Sequence, residues 1–203
     1  EKKVKVTEQS HTSIKRFKME EKPIKILNIN IQGLGMTRRG LKSTLFAATL
    51  PIHEPDIFVI TETHMSNLAE IRNFERIVNK YECSYALGEM RRNGIICGFR
   101  KNLFKIIDYI PDEEGRMVIT RIRHRKTNQT ITILGIYAPA REAERIQFWE
   151  NLTNFTIHNP HIVAGDFNCI LRQDHAIGGI RRHVEYGADR FKTYMTDNNL
   201  TPI

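Results

Sequence analysis

Cysteine is scarce in this chain: Cys83, Cys97 and Cys169 are the only three, and none forms a Cys-x-x-Cys pair or a zinc-type spacing. Each lies in or beside an apolar run, where a free thiol behaves as a small hydrophobe, which favours an intracellular, reducing compartment, the nucleus first and an organelle second. Long hydrophobic runs are missing as well. No apolar stretch approaches the roughly 20 residues needed to cross a bilayer, so no membrane span is expected. Internal repeats and low-complexity tracts are absent, which excludes a solenoid or a disordered array. Acidic residues are the minority, 23 against 31 Lys and Arg, leaving a net charge of +8 and a pI near 9.5. The first residue is Glu1 rather than Met, as in a fragment or a processed chain.

What is present fits one globular domain. A length of 203 residues with 40% hydrophobic content can bury a sizeable core. The surplus of positive charge favours polyanions through steering and counterion release, which puts nucleic acid first among partners.

Residues 1–22 carry seven Lys/Arg, four Asp/Glu and few large apolar side chains, and read as a basic arm or linker ahead of a domain over 23–203. From Ile24 to Ile31 an Ile-rich alternation predicts a strand. A helix over Leu41–Leu50 is expected to stop at Pro51, and Asp56–Ile60 reads as a buried strand. Leu68–Lys80 has helical spacing, with Leu68, Ile71, Phe74, Ile77 and Val78 on one face. Strands follow at Cys83–Leu87, Gly94–Phe99, Lys105–Ile110, Arg116–Arg123 and Thr130–Tyr137, the last two a hairpin across the polar turn 126–129. A helix from Arg141 to Phe155, a strand at His161–Ala164 and a helix over Gly187–Asn198 complete the pattern. The fold class is therefore α/β (α+β): two β-sheets packed face to face with helices outside.

Four polar marks stand at carboxyl ends of these strands: Asn28 in LNIN, Glu62 in ITETH, Tyr137 in IYAP, and Gly165-Asp166-Phe167-Asn168. Phosphodiester hydrolysis needs a cation to neutralise phosphoryl charge, a group that readies water, and support for the leaving oxygen. Hard Mg²⁺, with Mn²⁺ as its substitute, takes only one or two protein carboxylates, which suits Glu62. Asp166 can position or deprotonate water. Asn28, Asn168 and Tyr137 can donate hydrogen bonds to phosphate without adding charge. Taken singly, each also fits a solvated loop residue, an Asx turn or a half-buried aromatic. Only the ordered set points to chemistry.

That set, with the wording LNIN-x-x-GL, PDIFVITETH, GIYAPA, FW and VAGDFN, resembles the endonuclease/exonuclease/phosphatase superfamily from about Ile24 to Asn199, and within it the endonuclease domain of LINE-type (non-LTR) retrotransposons. The resemblance implies that Glu62 is a metal ligand, with Asn30 near the metal. It implies that Asn28 orients the catalytic Asp and contacts phosphate, and that Tyr137 contacts phosphate. Asp166 is then the residue that activates or orients water, with Asn168 as its transition-state partner. His64 follows Glu62 as in many LINE-type members and receives no chemistry.

Relatives close with two further strands and a Ser-Asp-His motif, before which this chain ends, so the domain reads as truncated at its carboxyl end. Asp174-His175 lies in a loop where the family has no catalytic His, and His183 reads as part of a DNA contact. Three Arg pairs in loops near the strand ends, Arg38-Arg39, Arg91-Arg92 and Arg181-Arg182, are candidate phosphate contacts. The functional expectation is a Mg²⁺-dependent endonuclease that nicks DNA. The alternatives are an inactive descendant serving as a nucleic-acid-binding scaffold in a nucleoprotein assembly, RNA included, with a protein chain covering the open sheet edge, or a phosphatase of the same fold.

Overall fold

Alternation and apolar runs resolve into nine strands and four helices among the described residues, which in this computed structural model are 12–19, 22–34, 41–90, 92–155, 159–169 and 188–202. The first sheet contains β1 (Thr12–Met19), β2 (Lys22–Asn30), β3 (Ile57–Thr61), β4 (Tyr81–Ala86) and β5 (Ile95–Arg100), in the order β1-β2-β3-β5-β4. The second holds β6 (Phe104–Pro111), β7 (Met117–His124), β8 (Thr130–Tyr137) and β9 (Ile162–Asp166) in sequence order. Both sheets are mixed: β2–β3 and β8–β9 are parallel, and every other pairing is antiparallel.

Period-two alternation divides the apolar side chains between three cores. Ile26, Ile57, Val59, Ile95, Cys97 and Phe99 of the first sheet meet Val118, Ile122, Ile131, Ile133 and Ala164 of the second in the sandwich interior. Ser84 and Thr120, both fully buried there, satisfy one another across the sheets at 2.6 Å. The outer face of the first sheet sends Leu27, Phe58, Ile60 and Ile96 against α1 (Leu41–His53) and α2 (Leu68–Ile77). The outer face of the second sends Met117, Ile119, Leu134 and Ile136 against α3 (Glu142–Phe155) and α4 (Ala188–Asp197), where Trp149 and Phe191 stack at 4.5 Å.

Three expectations need correction. The backbone of Thr12–Met19, read as arm, pairs antiparallel with β2 from Thr12↔Ile29 to Met19↔Lys22. Its Lys and Arg content hid a strand that needs no apolar run because it lies at a sheet edge, where charge is favoured. Helix α1 runs through Pro51 to His53. The proline removes one donor in the last turn, yet Glu54 N–H still reaches Leu50 O at 2.7 Å, and Phe46 and Leu50 anchor the helix on Phe58. On α2 the buried face is narrower than its spacing predicts. Ile71, Phe74 and Val78 are buried, whereas Leu68 and Ile77 at its edges are 48% and 41% exposed.

Candidate active site

Parallel register brings the marked strand ends together. Asn30 pairs with Thr61, and Tyr137 pairs with Asp166, so β2, β3, β8 and β9 finish at one end of the sandwich. Strand β9 also packs across the interior onto β2 and β3. The Asn28 amide donates to Gly165 O at 2.7 Å and so bolts the two sheets together directly beneath Asp166. Glycine is required at that point: φ is +144°, and a Cβ would stand 1.8 Å from Ile136 O.

Asn30 is the hub. Its Nδ2 donates to Glu62 Oε1 at 2.7 Å and to Asp166 Oδ2 at 2.8 Å. The same Glu62 oxygen accepts the Tyr137 hydroxyl at 2.9 Å, while Glu62 Oε2 faces His64 Nε2 at 3.9 Å. Asp166 Oδ1 accepts the backbone N–H of Asn168 at 3.0 Å, and the Asn168 side-chain amide donates to Ala138 O at 2.7 Å. All the sequence-marked residues from Asn28 to Asn168 therefore belong to one connected polar cluster. The donors expected to face phosphate are committed otherwise here. Asn28 and Asn168 each give one N–H of their side-chain amide to a backbone carbonyl, and Asn28 Oδ1 is buried with no partner among the described residues.

The segment that carries Glu62 is held in an unusual backbone. Glu62 and His64 both adopt left-handed φ of 55°, a conformation that costs non-glycine residues about 1 kcal/mol or more each. Four backbone hydrogen bonds hold it: Gly33 N–H to Glu62 O, Leu34 N–H to Thr63 O, Thr63 N–H to Gly94 O and His64 N–H to Asn93 O. The β4–β5 loop is itself tied down by Gly88 N–H to Met65 O and Gly94 N–H to Gly115 O.

Two neighbours carry no role in the sequence reading. Arg116 lays its guanidinium over the Tyr137 ring, with Cζ 5.3 Å from the centroid, and pairs with Glu114 at 3.4 Å. A Gly-Arg step just ahead of β7 was the signal available for it. His64 is the second, placed by the left-handed turn against Gly33 and Glu62. Burial, and then the hydrogen bond to anionic Glu62, push the Tyr137 hydroxyl well above the usual phenol range, and Arg116 opposes the shift. Tyr137 is thus a neutral donor at physiological pH. Of the six arginines proposed for phosphate contact, Arg92 is exposed at the mouth-side β4–β5 loop, and Arg38, Arg39, Arg91, Arg181 and Arg182 lie outside the described residues. Asp174, His175 and His183 lie outside them too.

The donor set suits a hard divalent cation. Glu62 and Asp166 supply only oxygen, and their carboxylates converge on one amide. Among the described residues no cluster of three or more His, Cys, Asp or Glu is placed to hold a metal ion. Asn30 presents NH₂ to the carboxylates, while its Oδ1 accepts Gln32 N–H at 3.2 Å.

Residues 27–193 match the Endonuclease/Exonuclease/phosphatase family. The chain belongs to that family. No curated protein matches it in sequence. Among solved structures, it is similar to the AP endonuclease LMAP of Leishmania major, with a TM-score of 0.65 and 18% identity over 87% of this chain and 67% of that one. It is also similar to the APE2 catalytic domain of Xenopus laevis, with a TM-score of 0.58 and 17% identity over 83% and 67%. A family protein of Bacteroides thetaiotaomicron gives 0.57 and 12% identity, and there the chain spans 63% of the other's length and 71% of its own. At these identities the likeness establishes the fold: two mixed sheets with flanking helices, as the family has them. Among the described residues no helix is long and apolar enough to cross a membrane.

Proposed function

We propose that this chain is a metal-dependent phosphodiesterase domain that nicks DNA, of the kind carried by LINE-type retrotransposons. The observation that carries the reading is the Asn30 amide held between Glu62 and Asp166 at the shared end of four strands. Two carboxylates gathered on one neutral donor repel each other, and a cation there relieves that cost. The AP endonuclease and the APE2 catalytic domain among its structural neighbours support a nucleic-acid substrate, as does the net charge of +8.

When bound, Mg²⁺ or Mn²⁺ neutralises charge on the phosphoryl oxygens. Glu62 would hold it, and its Oε2 is the oxygen that neither Asn30 nor Tyr137 engages. Asn30 would stand beside the ion, with its Oδ1 the group that accepts Gln32 N–H. Asp166, fixed by Asn30 and by Asn168 N–H, orients the attacking water and takes its proton. Tyr137 turns its hydroxyl from Glu62 Oε1 to a phosphate oxygen, Asn28 fixes the height of Asp166 through Gly165, and Arg92 contacts the backbone of the DNA. Asn168 braces the turn.

The scaffold alternative draws on one observation: the amides of Asn28 and Asn168 each already donate to a backbone carbonyl, as in a cluster kept for folding. Nicking of supercoiled plasmid separates the two. Metal-dependent nicking, abolished by chelator and by Asp166→Ala, supports the nuclease. A folded, monodisperse sample that binds DNA without nicking it supports the scaffold.

A further inference from the structure

Among the described residues, Met117, Ile119, Leu134 and Ile136 on the outer face of the second sheet are buried against helices α3 and α4 at the end nearest the candidate site. Beyond Ile119 the same face turns basic. Alternation puts Arg121 and Arg123 of β7 on it, opposite Thr132 and Thr130 of β8. On the other side, the register sets Lys105 of β6 opposite Arg123 and Asp108 opposite Arg121, with the bulge between Ile106 and Asp108 preserving the facing.

Arg121 is neutralised, since its Nε donates to Asp108 Oδ1 at 2.7 Å and its Nη2 to Oδ2. Lys105 and Arg123 are both exposed and face one another across the strands, and among the described residues neither has a carboxylate partner. Like charges directly opposite in an antiparallel pair weaken it. The adjoining turns add Arg125, Lys126 and Lys101, and Arg125 Nε ties the two turns together by donating to Lys101 O at 2.7 Å and Phe104 O at 3.2 Å. Along these three strands and two turns Asp108 is the only acidic residue, and the exposed Thr127, Asn128, Gln129 and Thr130 add neutral donors. Among the described residues no aromatic side chain of these strands and turns stands on this face, which offers charge without base stacking.

The patch is far from the mouth. Thr130 opens β8 and Tyr137 closes it, so at ~3.3 Å per residue the two ends stand about 23 Å apart. We propose that this basic end of the second sheet is a separate nucleic-acid site. It grips the sugar-phosphate backbone of a polynucleotide segment other than the one presented to Glu62 and Asp166. The partner class rests on the nucleic-acid reading of the mouth; the position and charge of the patch do not.

The test is binding of the full chain to fluorescently labelled single-stranded RNA, single-stranded DNA and duplex DNA across a KCl series, followed by anisotropy. It compares wild type with the Lys105→Gln/Arg123→Gln double variant and with Asp166→Ala. Expected is a fall of about 2 in the slope of log affinity against log salt for the double variant and no such change for Asp166→Ala. The melting temperature of the double variant should hold or rise, because a repulsion has been removed. RNA binding stronger than DNA binding, or the reverse, identifies the source of the backbone. An unchanged slope, or no nucleic-acid binding by the wild type, overturns the proposal. So does an effect confined to phosphatidylserine vesicles, which would mark a membrane surface instead. Binding that persists without nicking sinks the nuclease reading alone, and nicking with an unaltered slope sinks this one alone.

Discussion

Asn30 contributes no charge, yet it decides the electrostatics of the mouth. Its NH₂ group lies between Glu62 Oε1 and Asp166 Oδ2, so changing it to aspartate replaces a shared donor with a third anion. Asn30→Asp is therefore expected to lose about 1–3 kcal/mol of stability in chelator. Mg²⁺ should return more of that loss to the variant than it adds to the wild type, because it binds the crowded anions of the folded state. Thermal melts with Mg²⁺ and with chelator check this. Equal metal effects in both proteins would remove the cation from the mouth. Tyr137→Phe is the complementary change. It deletes a hydroxyl whose proton is held by burial and by Glu62, so nicking should fall about tenfold or more while stability drops by about 1 kcal/mol. Nicking within about twofold of wild type alongside that stability loss would make Tyr137 merely structural. At this scale, residue types and their order were legible in the sequence, but partners were not. Nothing in LNIN distinguishes an Asn28 that meets phosphate from one that bolts β2 to β9. Arg116 was missed because its role depends on Tyr137, which lies across a strand pair rather than nearby in sequence.

Strand ends position the cluster, and Gly165 shows how little freedom they have. The residue is the fourth of β9, opposite Ile136, and its positive φ leaves no room for a side chain. Gly165→Ala forces a Cβ into the Ile136 carbonyl and must part β8 from β9 or lift Asp166. Several kcal/mol of destabilisation are expected, on the order of the largest single-site effects. Chemical denaturation would measure it, and a loss below ~1 kcal/mol would mean that the strand relaxes freely. Most elements were readable because strands alternate over short runs and α2–α4 follow helical spacing. Elements whose evidence is tertiary were not. Strand β1 is defined by its backbone pairing with β2, and α1 passes Pro51 because Phe46 and Leu50 hold it on the sheet. The left-handed Glu62 and His64 likewise follow from hydrogen bonds to Asn93 and Gly94, thirty residues away along the chain, at about the reach no local pattern encodes.

Across the whole molecule, the cores set the behaviour of groups that take no part in the site. Cys83 faces the helices of the first sheet and Cys97 the sandwich interior, while Cys169 is buried under α4, so each thiol lies in a different core. Burial pushes the Cys97 thiol up to about 12 and the Cys83 thiol well above its ordinary value. The sign of the pH effect follows. Below pH about 9 these thiols are protonated in both folded and unfolded chains and shift nothing. Above it, the unfolded thiols ionise while the folded ones keep their protons, so unfolding is favoured progressively as pH rises toward 12. Tyr137, Tyr109 and Tyr81, all raised chiefly by burial, add to the same alkaline loss above pH about 10. Urea unfolding followed between pH 7 and about 11 should show a falling midpoint from pH ~9 onward. Cys97→Ser and Cys83→Ser should each flatten that fall, since serine carries no proton to lose in this range. In parallel, a thiol-specific dye should label the native chain only at the rate of unfolding and should find all three cysteines in denaturant. Rapid labelling of the native protein, or a midpoint flat to pH 11, would show that these thiols reach solvent without unfolding and that the three cores do not open as one.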